Sequence, residues 1–214
     1  MQVDHIFICT GESGKVADAL VSFGLLEGSS RVHKGQGTRN RKFYFDNFFL
    51  EILWVHDESE IKSEATNVMG LWQRTEHAQT GFSPFGLCLV NTDETEALFA
   101  KALKHQTDYF PKGMLIDIIK NDQQGDLPWT FRLPFKGQKK YENEPTLHKN
   151  GISTLTKVIF EHSAASNDGF LNHFTNDSSI HFIQSSKNWL TLVFDHGRQA
   201  QKRTFDELQM SIQY

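Results

Sequence analysis

One carboxylate constrains this chain more than any other residue. Glu51 sits in the run Phe48-Phe49-Leu50-Glu51-Ile52-Leu53-Trp54-Val55, where all its neighbours are apolar. In a strand, Phe49, Glu51, Leu53 and Val55 share one face, and Phe48, Leu50, Ile52 and Trp54 share the other. Both faces read as buried, so Glu51 reaches water only if the strand end bends outward. A buried ionised carboxylate without a partner costs several kcal/mol or must stay protonated. Glu51 therefore calls for a metal, an Arg, a His or a proton to move. His5 is a second polar residue on an apolar row. It lies in Val3-Asp4-His5-Ile6-Phe7-Ile8-Cys9, sharing a face with Val3, Phe7 and Cys9. Such a histidine is ordinarily a satisfied core residue, but paired with Glu51 it predicts a shared site.

A chain of 214 residues is long enough for a sizeable core. With 38% hydrophobic and 22% charged residues, it has ordinary globular composition. A formal net charge of −4 argues against nucleic acid as a partner, and Lys136, Lys139 and Lys140 read as a solvated loop. Cys9 and Cys88 are the two cysteines, both in apolar runs outside any C-x-x-C pattern, which argues against a disulfide framework or a zinc knuckle. No leader-like or membrane-length apolar run is present, so the expectation is a cytoplasmic protein without a membrane partner.

The first segment reads as a strand from Val3, a helix through Val16, Leu20 and Phe23 stopped by Gly24, and a strand from Leu25 to Val32. The glycine loop from His33 to Thr38 follows, then strands Arg41–Phe45 and Phe48–Val55 joined by an Asp46-Asn47 turn. This β-α-β-β-β order restarts after a polar helical connection (57–77). The second copy has a strand at Phe85–Val90, a helix at Thr92–Leu103, and strands at Met114–Ile119 and Trp129–Phe135. Residues 136–150 read as a loop. A third start follows at Leu155–Phe160, with a short helix at Asp168–Phe174 and a hairpin of Ile180–Gln184 with Trp189–Phe194. The expected domain is single, with modules at 1–56 and 81–135. A third, partial module at 150–214 is expected to complete the sheets.

Several strings resemble the glyoxalase-like proteins of the vicinal-oxygen-chelate superfamily, which includes glyoxalase I, extradiol dioxygenases and bleomycin-resistance proteins. They are Asp4-His5-Ile6-Phe7-Ile8, Phe23-Gly24-Leu25-Leu26-Glu27-Gly28-Ser29, His33-Lys34-Gly35-Gln36-Gly37-Thr38-Arg39-Asn40 and Leu50-Glu51-Ile52-Leu53-Trp54-Val55. Leu71-Trp72-Gln73-Arg74, Ser83-Pro84-Phe85-Gly86 and Leu192-Val193-Phe194-Asp195-His196-Gly197-Arg198 continue the echo downstream. The resemblance implies an α+β fold of paired βαβββ modules curling as half-barrels around a cup. In metal-using relatives, the His of the first strand and the Glu of the fourth bind one divalent ion. His5 and Glu51 fall on those positions, as catalytic and metal residues; Zn, Ni, Mn and Fe are not distinguished. The second module departs from the pattern. The His5 counterpart would be Phe85 or its neighbour, and the Glu51 counterpart Phe131 or Arg132. The third segment offers only Thr191, with Glu161 and His162 nearby.

Arg39, Asn40 and His33, at a sheet end where a cup would open, are candidate substrate-binding residues. Arg39 is expected to be the first-choice partner of Glu51. His181 reads as a solvent-side histidine and Cys9 as packing. Gly35-x-Gly37 lacks the strand-loop-helix context of a phosphate loop. Two functions follow. One is a lyase or isomerase acting on a small oxygenated compound with divalent-metal assistance; the other is a metal-free small-molecule binding protein of the bleomycin-resistance type. The partner expected in either case is a small-molecule ligand or substrate, with pairing of two chains as a homodimer left open.

Overall fold

The two faces of the Glu51 strand are both buried because each meets a different core. In the computed structural model, which describes residues 1–11, 13–107, 110–163 and 168–214, thirteen strands form two sheets. The first module comprises β1 (Val3–Thr10), helix α1 (Asp18–Phe23), β2 (Arg31–His33), β3 (Thr38–Tyr44) and β4 (Phe49–Val55). Short helices α2 (Glu58–Ile61), α3 (Glu64–Asn67), α4 (Leu71–Thr75) and α5 (His77–Thr80) form the connection. The second module is β5 (Phe85–Asn91), α6 (Glu96–Phe99), β6 (Leu103–Gln106), β7 (Leu115–Ile119) and β8 (Trp129–Lys136).

These eight strands make one curled sheet in the order β2-β3-β4-β1-β5-β8-β7-β6. In each module the first strand runs parallel to the last, and β1 and β5 join the modules antiparallel. The α+β fold of paired βαβββ modules is thus present. Ile6, Ile8, Leu50, Ile52, Leu87 and Leu89 enter the main core on one face of this sheet; Phe7, Leu53, Cys88, Trp129 and Phe131 form a second cluster on the other, concave face. Each fully buried Leu, Ile or Phe contributes about 1.5–3 kcal/mol of transfer free energy.

The last segment departs from expectation. β9 (Leu155–His162), α7 (Asp168–Leu171), β10 (Ile180–Gln184), β11 (Trp189–Phe194), β12 (Lys202–Phe205) and β13 (Met210–Gln213) belong to a separate five-stranded sheet, order β10-β9-β11-β13-β12. It adds no strand to the first sheet and instead covers its outer face. Phe194 meets Phe45 at 4.6 Å between ring centroids, and Phe160 meets Phe85 at 6.0 Å. Nor do β10 and β11 form a hairpin: both pair with β9, β10 in parallel and β11 antiparallel. The strand expected from Leu25 shortens to three residues, and the helix expected to Leu103 stops at Phe99, where Leu103–Gln106 pairs with β7.

The helical connection is more than a tether. Arg74 is fully buried, donating to the carbonyls of Ser83 (2.8 Å), Leu127 (2.9 Å) and Lys120 (2.7 Å). Trp129 Nε1 donates to Met69 O at 2.9 Å. These bonds hold Met69 and Leu71 against the concave face, where they line its cavity. No helix among the described residues is long and apolar enough to cross a membrane.

Candidate functional site

Glu51 points into a concave cavity of about 410 Å³, within the ordinary range for small-molecule sites. His5 lines the same cavity, and its Nε2 lies 4.0 Å from Glu51 Oε2. Both side chains are buried, at 7% and 6% exposure, so neither is a solvent-facing strand residue. The neighbouring-strand arrangement is indirect: Glu51 stands opposite Phe7 on the parallel β1–β4 pair, and His5 opposite Phe49. The Phe49 ring stacks on the imidazole at 4.3 Å, and Phe131 meets it edge-on at 5.2 Å.

Strict alternation would turn Asp4 away from His5. Instead Val3 pairs with Leu89 and His5 with Cys88, so two steps on β1 answer one on β5. This bulge rotates Asp4 into the cavity wall. His5 Nδ1 lies 2.5 Å from Asp4 Oδ1. A carboxylate only accepts, so Nδ1 carries the proton and Nε2 is the ring atom facing Glu51.

Glu51 is held by the residue next to the expected one. Arg39 is exposed, with its guanidinium 6.0 Å from the Trp54 ring centroid on the opposite face of β3. Alternation along β3 puts Asn40 and Lys42 on the cavity side instead, and Lys42 is the direct cross-strand partner of Glu51. Asn40 Nδ2 donates to Glu51 Oε1 and lies 3.4 Å from His33 Nε2. Its Oδ1 accepts from the Arg31 backbone N–H at 2.6 Å, which sets the amide's orientation. His33 Nε2 in turn stands 3.9 Å from Glu51 Oε1, and His33 Nδ1 lies 2.9 Å from Thr38 Oγ1. Burial lowers the His33 pKa against the pull of Glu51. A neutral ring donating from Nδ1 to Thr38 and accepting at Nε2 from Asn40 satisfies both of these hydrogen bonds.

The glycine loop positions this histidine. Gly37 has φ +75°, and a Cβ there would lie 2.4 Å from the Asp57 carbonyl and the Ile61 nitrogen. Its carbonyl accepts from His56 and Asp57, while Glu60 Oε2 accepts from the Gly35 and Gly37 N–H groups.

Residues 137–150 close one side of the cup. Tyr141 lies 5.1 Å from the Tyr44 ring and 5.3 Å from Phe49, and Glu144 accepts from Ser29 N (2.9 Å) and Oγ (2.5 Å). Burial raises the Tyr141 hydroxyl pKa above its ordinary range, and that of Tyr44 to about 12. Lys42, Tyr141 and Glu144 carried no motif, and Asp4 stood in the first family string without an assigned role; only the fold gathers them.

Taking the Ile6–Leu87 pair of the antiparallel β1–β5 ladder as a local two-fold relates the two modules residue by residue. It carries His5 onto Gly86, Phe49 onto Trp129 and Glu51 onto Phe131. The neighbour of Phe85, not Phe85 itself, is therefore the His5 counterpart. Arg132 faces the other way, toward Asp117 at 2.8 Å and Thr95 at 3.0 Å. A Cβ on Gly86 would lie 2.1 Å from the Phe7 ring, so an aromatic fills the place of a second-module ligand. Thr191 bonds Ser211 at 3.1 Å within the second sheet, and His181 lies near the Ser178 carbonyl.

Toward a divalent ion the described residues offer His5 and Glu51, short of a complete shell. Among the described residues His5 and Glu51 face one another without a second-module donor, and the Asn40 N–H group already occupies Glu51 Oε1 and the His33 side. A metal shell needs three or more acceptors aimed at one point. Asp4, His5 and Cys88 bring ligand atoms within 4.8 Å of one another. There Asp4 is bonded to His5, and burial raises the Cys88 thiol well above its ordinary pKa in the metal-free protein.

A family model described as "Glyoxalase-like domain" matches residues 3–168. A solved structure of a hypothetical protein from Staphylococcus aureus is similar with a TM-score of 0.59 at 14% identity, covering 99% of this chain and 98% of that one. A mutant of 4-hydroxymandelate synthase from Streptomyces coelicolor is similar with a TM-score of 0.51 at 9% identity, covering 90% of this chain and 70% of that one. At these identities the two likenesses concern the fold alone. No curated protein matches the sequence. With more than half its length matched by the family model, a paired-module fold and a cup carrying His5 and Glu51, the chain belongs to the glyoxalase-like domain family.

Proposed function

We propose that this chain acts on a small oxygenated molecule by acid–base chemistry in the cup, as a lyase or isomerase type of enzyme. The observation that carries the reading is the asymmetry of the cavity. Asp4, His5, His33, Lys42 and Glu51 of the first module and Lys139, Tyr141 and Glu144 of the closing segment bring titratable groups to it, whereas β7 and β8 of the second module supply only the apolar Ile116, Trp129, Phe131, Leu133 and Phe135 among the described residues. Such a cup orients an amphipathic ligand with its polar end at His5 and Glu51. Asp4 fixes the proton on His5 Nδ1, which leaves Nε2 to take or return a proton at a carbon next to a carbonyl. Glu51, held by the Asn40 amide, stands across from that nitrogen to receive or supply the second proton. The apolar wall excludes water and strengthens both electrostatic interactions.

Metal assistance, the expectation from the resemblance, receives two donors, His5 and Glu51, and no complete shell. A metal-free binding protein is the second reading, favoured by the apolar replacement of both second-module ligand positions. The test is proton exchange in D2O, followed by proton NMR, on a panel of enolisable aldehydes, ketones and 2-oxo acids. Protein stripped with EDTA should exchange the proton next to the carbonyl of at least one probe, and H5Q and E51Q should lose that exchange. Binding without exchange would favour the binding protein. Exchange that appears only with one equivalent of added metal would restore the metal reading.

A further inference from the structure

We infer that the cup selects monoanionic carboxylates bearing an apolar body, and that Lys42 is the residue that reads the carboxylate. The inference deepens the proposed function and rests on the cup being the ligand site. Each acidic group on the cavity wall already has a hydrogen-bond partner: Asp4 has His5, Glu51 has Asn40 and Glu144 has Ser29. Lys42 differs. Its Nζ lies over the Tyr44 and Phe49 rings, 5.3 and 5.7 Å from their centroids, and it makes no hydrogen bond or ion pair among the described residues. An ammonium stacked on rings retains three unused donors, and burial lowers its pKa against the pull of Glu51 and Glu144. A half-buried cation of this kind gains most from a ligand anion.

Position ties the cation to the chemistry. Lys42 is the direct cross-strand partner of Glu51, and Phe49 lies against both the Lys42 ammonium and the His5 ring. A carboxylate on Lys42 therefore brings its adjacent carbons to the His5 and Glu51 end of the cup. Charge balance sets the valence. Arg31 and Lys139, both exposed, line the same cavity with Lys42 and balance the carboxylates of Asp4, Glu51 and Glu144, so a monoanion disturbs that balance less than a phosphate dianion does. Opposite stands the wall of Phe110, Trp129, Phe131 and Leu133, which has no polar partner to offer and suits an aryl or alkyl body.

The test uses the whole chain and four probes: 3-phenylpropanoate, 3-phenylpropanamide, propanoate and phenyl phosphate. Binding is read by quenching of tryptophan fluorescence, with Trp129 in the cavity wall, and by calorimetry. 3-Phenylpropanoate should bind about ten- to hundredfold more tightly than the amide, the size of one charge-assisted hydrogen bond. Propanoate and phenyl phosphate should bind more weakly than 3-phenylpropanoate. In Lys42→Met the preference for acid over amide should vanish while the amide affinity stays, and Lys42→Arg should retain part of the preference. Equal affinity for acid and amide, or a preference that survives Lys42→Met, would overturn the role of Lys42 while leaving the cup as a ligand site. Tighter binding of phenyl phosphate would overturn the monoanion assignment. Failure of all four probes to bind would overturn both this inference and the reading of the cavity as the ligand site.

Discussion

Replacing Gly86 by Ala tests the account of why the second module carries no ligand. The added Cβ would sit 2.1 Å from Cε1 and Cζ of Phe7 and 2.4 Å from Cδ1. Carbon atoms pack at roughly 3.5–4.0 Å, so the overlap is about 1.5 Å along a whole ring edge. The ring has little room to retreat, being 3% exposed and wedged 5.7 Å from Trp129 and 6.1 Å from Phe131. Overpacking of this kind costs about 3 kcal/mol, the upper part of the usual range. For a chain of this length that is a drop in Tm of roughly 6–12 °C. Phe7→Val removes the clashing atoms and should itself cost about 2–4 kcal/mol through the cavity it leaves. The double variant should be no less stable than Phe7→Val alone, a coupling of about 3 kcal/mol. Urea titrations of the four proteins, followed by tryptophan fluorescence and circular dichroism, give the cycle. Gly86→Ala within about 0.5 kcal/mol of the parent, or a double variant equal to the sum of the singles, would refute the claim that the Phe7 ring occupies the second-module position.

Glu51→Gln keeps the shape and an oxygen for the Asn40 amide while removing a buried charge. Its unfolding free energy should stay within about 1 kcal/mol of the parent, and proton exchange on any active probe should fall by about a hundredfold or more. An unchanged exchange rate would show that Glu51 is structural. Burial lowers the pKa of His33, His77 and His148, so unfolding takes up protons at pH values between their folded pKa values and about 6.5. Stability should therefore rise with pH through this window and level off above it, and His33→Gln should flatten the slope; a slope the same in both proteins would remove His33 from the explanation. Ser29→Ala loosens the Glu144 contact of the closing loop. Trypsin should then cut faster at Lys139 or Lys140 with little change in Tm, whereas an unchanged cutting rate would mean the loop is held elsewhere.

Residues that break a pattern were the most readable part of this site. Glu51 and His5 stand out because polar groups on buried strand faces conflict with the solvation energy of their surroundings, and that conflict is local to the sequence. The two modules were readable for a similar reason: apolar alternation and glycine punctuation depend on near neighbours. Alternation also places Asn40 on the face opposite Arg39, yet the choice between them as the partner of Glu51 needs the register of β3 against β4. Asp4 joins the site only through a bulge, which depends on how β1 meets a strand some eighty residues later. Lys42, Tyr141 and Glu144 come from separate segments with no shared motif, and long-range closure alone brings them around one cavity. The five-stranded sheet was hidden for the same reason. β10 and β11 look like a hairpin in sequence, but both pair with β9, and β13 fills the other edge of β11. Strand order is set by which pairings bury the most apolar surface together, a property of the whole chain rather than of any segment.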